Sequence, residues 1–287
     1  MQLVQLGPQC NNSCLFCAQA NERPNCANLD IAQLRRHLEE TNIADQSVAI
    51  VGGEPTIHSE LPELIRSVRE LDAREVILQT NARRLAYQSY VATLVECGVS
   101  CFEVSLHGST AAMHDYHTRT PGSFQQTLRG IVNAIGANRP VVVSTVLTRS
   151  NYRHMAEMVR LADRIKVQRL VVRQARPIGS ALEFRARVLP SLELAIPYFR
   201  EAKRTATALG LRLEIEGPNL PTVLHRDYVP FFANPANQHE NPTRDELSLE
   251  TGRPKPASNE DRSSERQTGI ALRELFPDLF ESGKSEG

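Results

Sequence analysis

Short β-branched runs alternate along this chain with longer stretches in which apolar residues return every three to four positions. That alternation predicts repeated strand and helix units, and hence a parallel sheet. Gln2 to Leu6 reads as a first strand running into a cysteine-bearing loop, and Asp30 as the N-cap of a helix whose apolar face is Ile31, Leu34 and Leu38. Ser47 to Val51 is a second strand, followed by Gly52-Gly53-Glu54-Pro55-Thr56 and a helix marked by Leu61, Leu64, Ile65, Val68 and Leu71. A strand is expected over 75–79, a helix over 86–97, a strand over 101–106, a loop rich in His, Thr and Gly over 107–122, and a helix over 124–134. Pro140 to Leu147, dominated by valine and threonine, is the plainest strand of the chain. A helix over 152–165, a strand over 168–174, a helix over 192–209 closed by Gly210, and a seventh strand over 211–215 complete the pattern. Right-handed crossovers then build a curved parallel sheet of the α/β class with helices outside.

From about Asn234 to Thr268 large apolar residues nearly vanish and Asn, Pro, Glu, Arg and Ser prevail, so this polar C-terminal tail is expected to be largely disordered. Near its end, residues 270–276 carry Leu272, Leu275 and Phe276 on one helical face and predict a short docking helix. Lys+Arg and Asp+Glu both total 33, and aromatics make up 5%. That balance gives no electrostatic pull towards nucleic acid or an anionic membrane, so neither is expected as a partner. The opening residues have no basic segment and apolar run of a signal peptide, and the apolar stretches are strand-length, which predicts a cytoplasmic protein.

Six cysteines stand at 10, 14, 17, 26, 97 and 101, three of them within eight residues. In a reducing compartment such a grouping points to metal or catalysis before disulfides. Cys10-Asn-Asn-Ser-Cys14-Leu-Phe-Cys17 supplies soft thiolates to three corners of an iron-sulfur cubane, leaving one iron open. The same spacing also allows a structural zinc site completed by Cys26, or three unconnected core cysteines.

With these residues in view, the sequence resembles the radical S-adenosylmethionine (SAM) superfamily, whose signature is CxxxCxxC after the first strand of a partial (β/α)6 TIM-like barrel. Phe16 fills the aromatic place before the third cysteine, and Gly52-Gly53-Glu54-Pro55 at the end of strand two matches the family's second motif, which contacts the amino group of SAM. The resemblance covers residues 2–217, leaving 218–287 as an extension. It implies a [4Fe-4S] cluster on Cys10, Cys14 and Cys17, with SAM on the open iron. It also implies contacts to SAM from Phe16, Gly52, Gly53, Glu54, Pro55, Thr80, Asn81, Ser105, Ser144 and Arg173, though an Arg on a barrel strand serves equally as a structural charge.

The implied activity is reductive cleavage of SAM to a 5′-deoxyadenosyl radical that abstracts hydrogen from a peptide or small-metabolite substrate, fed by an electron donor such as flavodoxin or ferredoxin. His107, directly after strand four, is the candidate for proton transfer or substrate contact, with His114 and His117 nearby; the alternative for all three is a packing loop. Cys97 and Cys101 fall at the amino-terminal end of the strands, away from the cysteine loop, and read as small core residues or a distant thiol pair rather than ligands. No cysteine follows Cys101, so an auxiliary-cluster domain is not expected. A different class of function remains open: a metal-binding accessory or scaffold protein whose zinc or iron-sulfur site is only structural.

Overall fold

A computed structural model of the protein describes residues 1–24 and 30–217. The expected tail disorder, the helix over 270–276 and Cys26 lie outside the described residues. Seven strands form one parallel sheet in the order in which they are made, β1 (Gln2–Gln5), β2 (Ser47–Val51), β3 (Glu75–Thr80), β4 (Cys101–Ser105), β5 (Val141–Leu147), β6 (Arg169–Gln174) and β7 (Arg212–Glu216). β1 and β7 are its two edges, so the sheet does not close on itself. This open parallel sheet, with a helix between most successive strands, is the expected partial barrel with the seventh strand included.

The helices are α1 (Ile31–Glu40), α2 (Leu61–Glu70), α3 (Gln88–Cys97), α4 (Ala111–Thr118), α5 (Ser123–Gly136), α6 (Met155–Arg164), the single turns α7 (Ser180–Glu183) and α8 (Arg185–Val188), and α9 (Leu192–Leu209). Local chemistry starts several of them. Asp30 accepts the Ala32 N–H at the head of α1, and Ser191 accepts the Leu194 N–H at the head of α9. Among the described residues no helix is long and apolar enough to cross a membrane.

One expectation fails. The stretch 107–122, read as a loop, contains α4, whose N-cap Thr110 accepts the Met113 N–H. This helix buries His114, His117 and Thr118 rather than an apolar stripe, so hydrophobic periodicity has nothing to detect there.

Strand alternation sorts the sheet into two chemically different faces. On β4, Phe102 and Val104 are fully buried, and with Val141, Val143, Leu170 and Val172 they form the apolar layer under the helices. Burying each such side chain contributes about 1.5–3 kcal/mol. The opposite, concave face carries Gln79, Glu103, Ser105, Ser144, Arg173 and Glu216 towards the carboxyl ends of β3 to β7. A polar concave face beside an apolar convex one is the arrangement expected when ligands enter at the carboxyl edge.

Candidate active site

The loop from Cys10 to Cys17 follows β1 at that carboxyl edge and is clasped by four other parts of the chain. From the β3 side, Asn81 donates to Asn11 Oδ1 at 2.7 Å, and Arg83 donates to the Asn11 carbonyl and, at 3.0 Å, to Asn12 Oδ1. The end of α4 accepts from the loop, Ser13 N–H to the Thr118 carbonyl at 3.0 Å and Leu15 N–H to the His117 carbonyl at 2.9 Å. The loop after β6 closes from the far side, with Ser180 N–H donating to the Cys17 carbonyl at 2.9 Å. Arg23 spans the interior of the loop, reaching the Asn12 carbonyl at 2.7 Å and Cys17 Sγ at 3.3 Å.

All three cysteines are free and half-buried. Burial pushes the Cys14 thiol up, and the neighbouring Cys10 and Cys17 sulfurs push it further. Burial likewise raises Cys10, against the pull of the Asn12 N–H that bonds its sulfur at 3.3 Å. Three thiols this close resist ionising together without a bound cation, which is the setting in which a metal centre deprotonates them. Among the described residues no group of three or more His, Cys, Asp or Glu side chains is arranged to hold a single metal ion. Three soft sulfur donors on one loop fit the corners of an iron-sulfur cluster, in which each sulfur binds a different iron.

Glu54 anchors the second motif. Its carboxylate is buried and accepts four bonds: the Thr56 N–H at 3.1 Å and Thr56 hydroxyl at 2.6 Å, the Thr80 hydroxyl at 2.5 Å and the Asn81 N–H at 2.6 Å. Burial raises its pKa, and those four donors oppose the rise. Thr80 also accepts the Ala82 N–H at 2.9 Å, so its hydroxyl is committed inside the protein. The Gly52-Gly53 step lies directly on the chain after β1: Gly53 N–H donates to Gly7 at 2.7 Å and Glu54 N–H to Gln9 at 2.8 Å. A Cβ on Gly53 would sit 2.2 Å from the Gln9 carbonyl oxygen and 2.3 Å from that of Pro8. The need for glycine at 53 is therefore met by main chain of this protein. Pro55 begins the turn that follows and is buried.

Other candidates occupy the concave face or its rim. Ser105 is half-buried at the end of β4, paired with Ser144 across the sheet. Ser144 accepts from Arg173, which also pairs with Glu103 and, at 2.9 Å, with Glu216. Burial works against the charge of Arg173, but those two carboxylates outweigh it and raise its pKa. Gln79 joins through a 2.9 Å bond to Glu103.

His107 is buried and turned inward. Its Nδ1 accepts the Val146 N–H at 3.3 Å, its ring meets Phe16 edge-on at 4.7 Å, and it stacks on His114 at 5.9 Å. Burial lowers its pKa, helped by His114 and His117, so the imidazole is neutral. His114 Nδ1 accepts the His107 N–H at 3.1 Å, and His117 bonds the Met113 carbonyl and the Thr148 hydroxyl, each at 2.7 Å. Phe16 thus joins the cysteine loop to this histidine stack. Its other neighbours are an apolar cluster of Leu15, Ala175, Ala181 and Val188.

Sequence reasoning missed Arg23 and Glu103, and it read 176–179 as a segment facing the open edge without the contact that Gly179 makes. Gly179, with φ +53° and ψ −134°, brings the loop after β6 so close to the cysteine loop that a Cβ would lie 2.2 Å from the Cys17 carbonyl oxygen. Its place in Arg176-Pro177-Ile178-Gly179 marks a turn, but the contact runs to main chain distant in sequence, which leaves no spacing to read. Arg23 looks like a surface charge, and Glu103 is a lone acid inside a strand. The alternation of β4 was the available signal for Glu103, since it puts the acid on the face opposite Phe102 and Val104.

Residues 4–162 match the family model described as the radical SAM superfamily. Among curated proteins, the chain is 25% identical over 202 residues to an AdoMet-dependent heme synthase of Oleidesulfovibrio alaskensis, covering 69% of this chain and 52% of that one. It is 32% identical over 185 residues to a probable GTP 3′,8-cyclase of Methanopyrus kandleri, covering 63% of this chain and 58% of that one. The chain thus spans little more than half the length of these relatives. Among solved structures, Streptococcus suis SuiB bound to S-adenosylmethionine superposes with a TM-score of 0.62 at 19% identity, covering 76% of this chain and 51% of that one. At that identity the likeness is one of fold.

Proposed function

The chain belongs to the radical SAM superfamily, and from that premise we propose that it cleaves SAM reductively and abstracts hydrogen from a peptide or small-metabolite substrate. When bound, a [4Fe-4S] cluster and SAM supply a one-electron cleavage that yields a 5′-deoxyadenosyl radical. Cys10, Cys14 and Cys17 hold the cluster, with no fourth ligand among the described residues. The observation that carries this reading is the convergence of Asn81, Arg83, the end of α4 and Ser180 on one cysteine loop, which fixes three thiols at the carboxyl edge without closing the site.

The other residues bind and orient. Carbonyls of the Gly52-Gly53 turn, held in place by Glu54, Pro55 and Thr80, accept from the ammonium group of SAM, and Ser105 offers a hydroxyl to its ribose. Asn81 links the two motifs by bonding both Asn11 and Glu54. Arg173 is engaged with Glu103 and Glu216, and Ser144 with Arg173, so we place them beside the substrate rather than on the carboxylate of SAM. His107, neutral and bonded on Nδ1, positions Phe16 and the cysteine loop rather than transferring protons. Phe16 and its apolar neighbours keep water away from that side of the site. We assign all of this to residues 1–217, acting in the cytoplasm with a one-electron donor of the flavodoxin or ferredoxin kind.

The test is anaerobic reconstitution with iron and sulfide, followed by EPR of the dithionite-reduced protein with and without SAM, beside a Cys14→Ala control. The expected result is a reduced-cluster signal that changes when SAM is added and is lost in the control. Stoichiometric zinc with no cluster would sink the reading and leave a structural metal site on a scaffold protein.

A further inference from the structure

The concave face holds a charged network, around the Arg173 and Ser144 placed beside the substrate above, whose carboxylates have been given no role. Glu103 on β4 and Glu216 on β7 flank Arg173 on β6, with Gln79 and Ser144 completing the group. The Glu103 side chain is 1% exposed, Glu216 14% and Arg173 23%, so the network runs from a buried floor to an open rim. Each of the three charged members keeps one buried polar atom without a partner: Glu103 Oε2, Arg173 Nη2 and Glu216 Oε1. Orphan atoms of this kind are destabilising, more so when charged, and a parallel sheet can fill such a face with valine instead. β5 does so at Val142 and Val146, on the same face as Glu103 and Arg173 respectively.

The charge count gives the sign of what is missing. Two carboxylates, Glu103 and Glu216, share the guanidinium of Arg173, whereas Glu214 on the same face has two arginines, Arg169 and Arg212, so the shortage of positive charge lies at the Arg173 end. Of the three orphan atoms, two are carboxylate acceptors and one is a donor. An anion would meet two carboxylates and one N–H already flanked by them. A cation carrying several N–H groups satisfies both acceptors and brings the network to neutrality.

We propose that Glu103, Arg173 and Glu216 form a substrate subsite for an ammonium or guanidinium group, with Gln79 and Ser144 holding Glu103 and Arg173 in place. The proposal rests on the reading of this edge as a substrate-binding site and narrows the substrate class to organic cations. The group belongs either to a free metabolite or to a peptide side chain, which share this chemistry.

The full chain, without added SAM, is titrated calorimetrically with agmatine, with an acetylated and amidated Gly-Arg-Gly tripeptide, and with glutarate as the anionic counterpart. At least one cation is expected to bind saturably and glutarate not to. Binding by agmatine alone points to a free metabolite, and binding by the tripeptide alone to a peptide. Glu103→Gln and Glu216→Gln are each expected to weaken the bound cation by roughly tenfold to a hundredfold, the worth of one charged hydrogen bond. Glu216→Gln lies nearer the rim and serves if Glu103→Gln fails to fold. Saturable glutarate binding, no saturable binding by either cation, or cation binding undiminished in the folded variants overturns the proposal. Cleavage of SAM by the reconstituted wild type is measured separately. Its failure removes the radical chemistry while leaving a demonstrated cation site standing, and success there with no cation site removes only the subsite.

Discussion

Replacing Gly179 by alanine tests whether the loop after β6 holds the cysteine loop in place. At φ +53° and ψ −134° the residue occupies backbone space that glycine alone enters readily, and forcing another residue there costs about 1–3 kcal/mol. The new methyl would also lie 2.2 Å from the Cys17 carbonyl oxygen and 2.6 Å from that of Ala18. Main chain cannot swing aside as a side-chain tip can, so overpacking adds about 1–3 kcal/mol. The combined loss of about 2–6 kcal/mol is a large part of the 5–15 kcal/mol typical of a folded domain. At a urea slope of about 2 kcal/mol per M, a loss of 4 kcal/mol moves the unfolding midpoint down by about 2 M.

The assay pairs urea unfolding of the apoprotein with iron and sulfide content after reconstitution. Because relief of the clash must move Cys17, Gly179→Ala is expected to lose iron as well as stability. Gly136→Ala is the matched control. It lies at the end of α5, an added Cβ there meets nothing within 4 Å, and it should stabilise by about 0.5–1 kcal/mol with iron binding unchanged. A Gly179→Ala protein with full iron and a midpoint within about 0.3 M of wild type would refute the reasoning.

Three further expectations follow from neighbouring contacts. Glu54→Gln turns one of four accepted hydrogen bonds into a donor facing a donor, and should lower stability by about 1–3 kcal/mol in the same urea assay. Arg23→Ala removes the cation at Cys17 Sγ, and release of iron to a chelator should become about 10–100-fold easier, as for other outer-shell metal partners. Burial holds His114 down to about 4, with Asp115 pulling the other way, whereas an unfolded histidine takes its proton near 6.5. Between those values the unfolded state binds the extra proton, so stability is present above 6.5 and lost as pH falls. His114→Asn, whose amide oxygen can still accept the His107 N–H, should shrink the stability drop between pH 7 and pH 5 by about 2 kcal/mol. An unchanged drop in urea melts at the two pH values would contradict it.

What the sequence made legible was whatever local chemistry writes down. The valine run of β5, the Asp30 cap and the end of α9 at Gly210 each follow from residues within a few positions of one another. The cysteine spacing and the Gly-Gly-Glu turn are likewise local, and they identified the family. α4 escaped because its buried face is made of histidine and threonine, although Thr110 three residues before Met113 already offered a cap. Gly179 escaped because its constraint comes from Cys17, far away in the chain. Arg173 was read with two roles open, and only the strand register, which sets it between β4 and β7, brings it to Glu103, Ser144 and Glu216 of this protein.

The clasp on the cysteine loop also orders events during synthesis. The loop leaves the ribosome before Asn81, Thr118 and Ser180, which are needed to hold it, and the last of these follows Cys17 by about ten to thirty seconds at ordinary elongation rates. Throughout that interval the nascent chain presents three unrestrained thiols and only part of the sheet behind them. Iron delivered early would meet a flexible chelator rather than a site. Loading is therefore expected to be a late step that follows completion of β6, and truncation before Ser180 should yield a protein that carries all three cysteines and retains little iron.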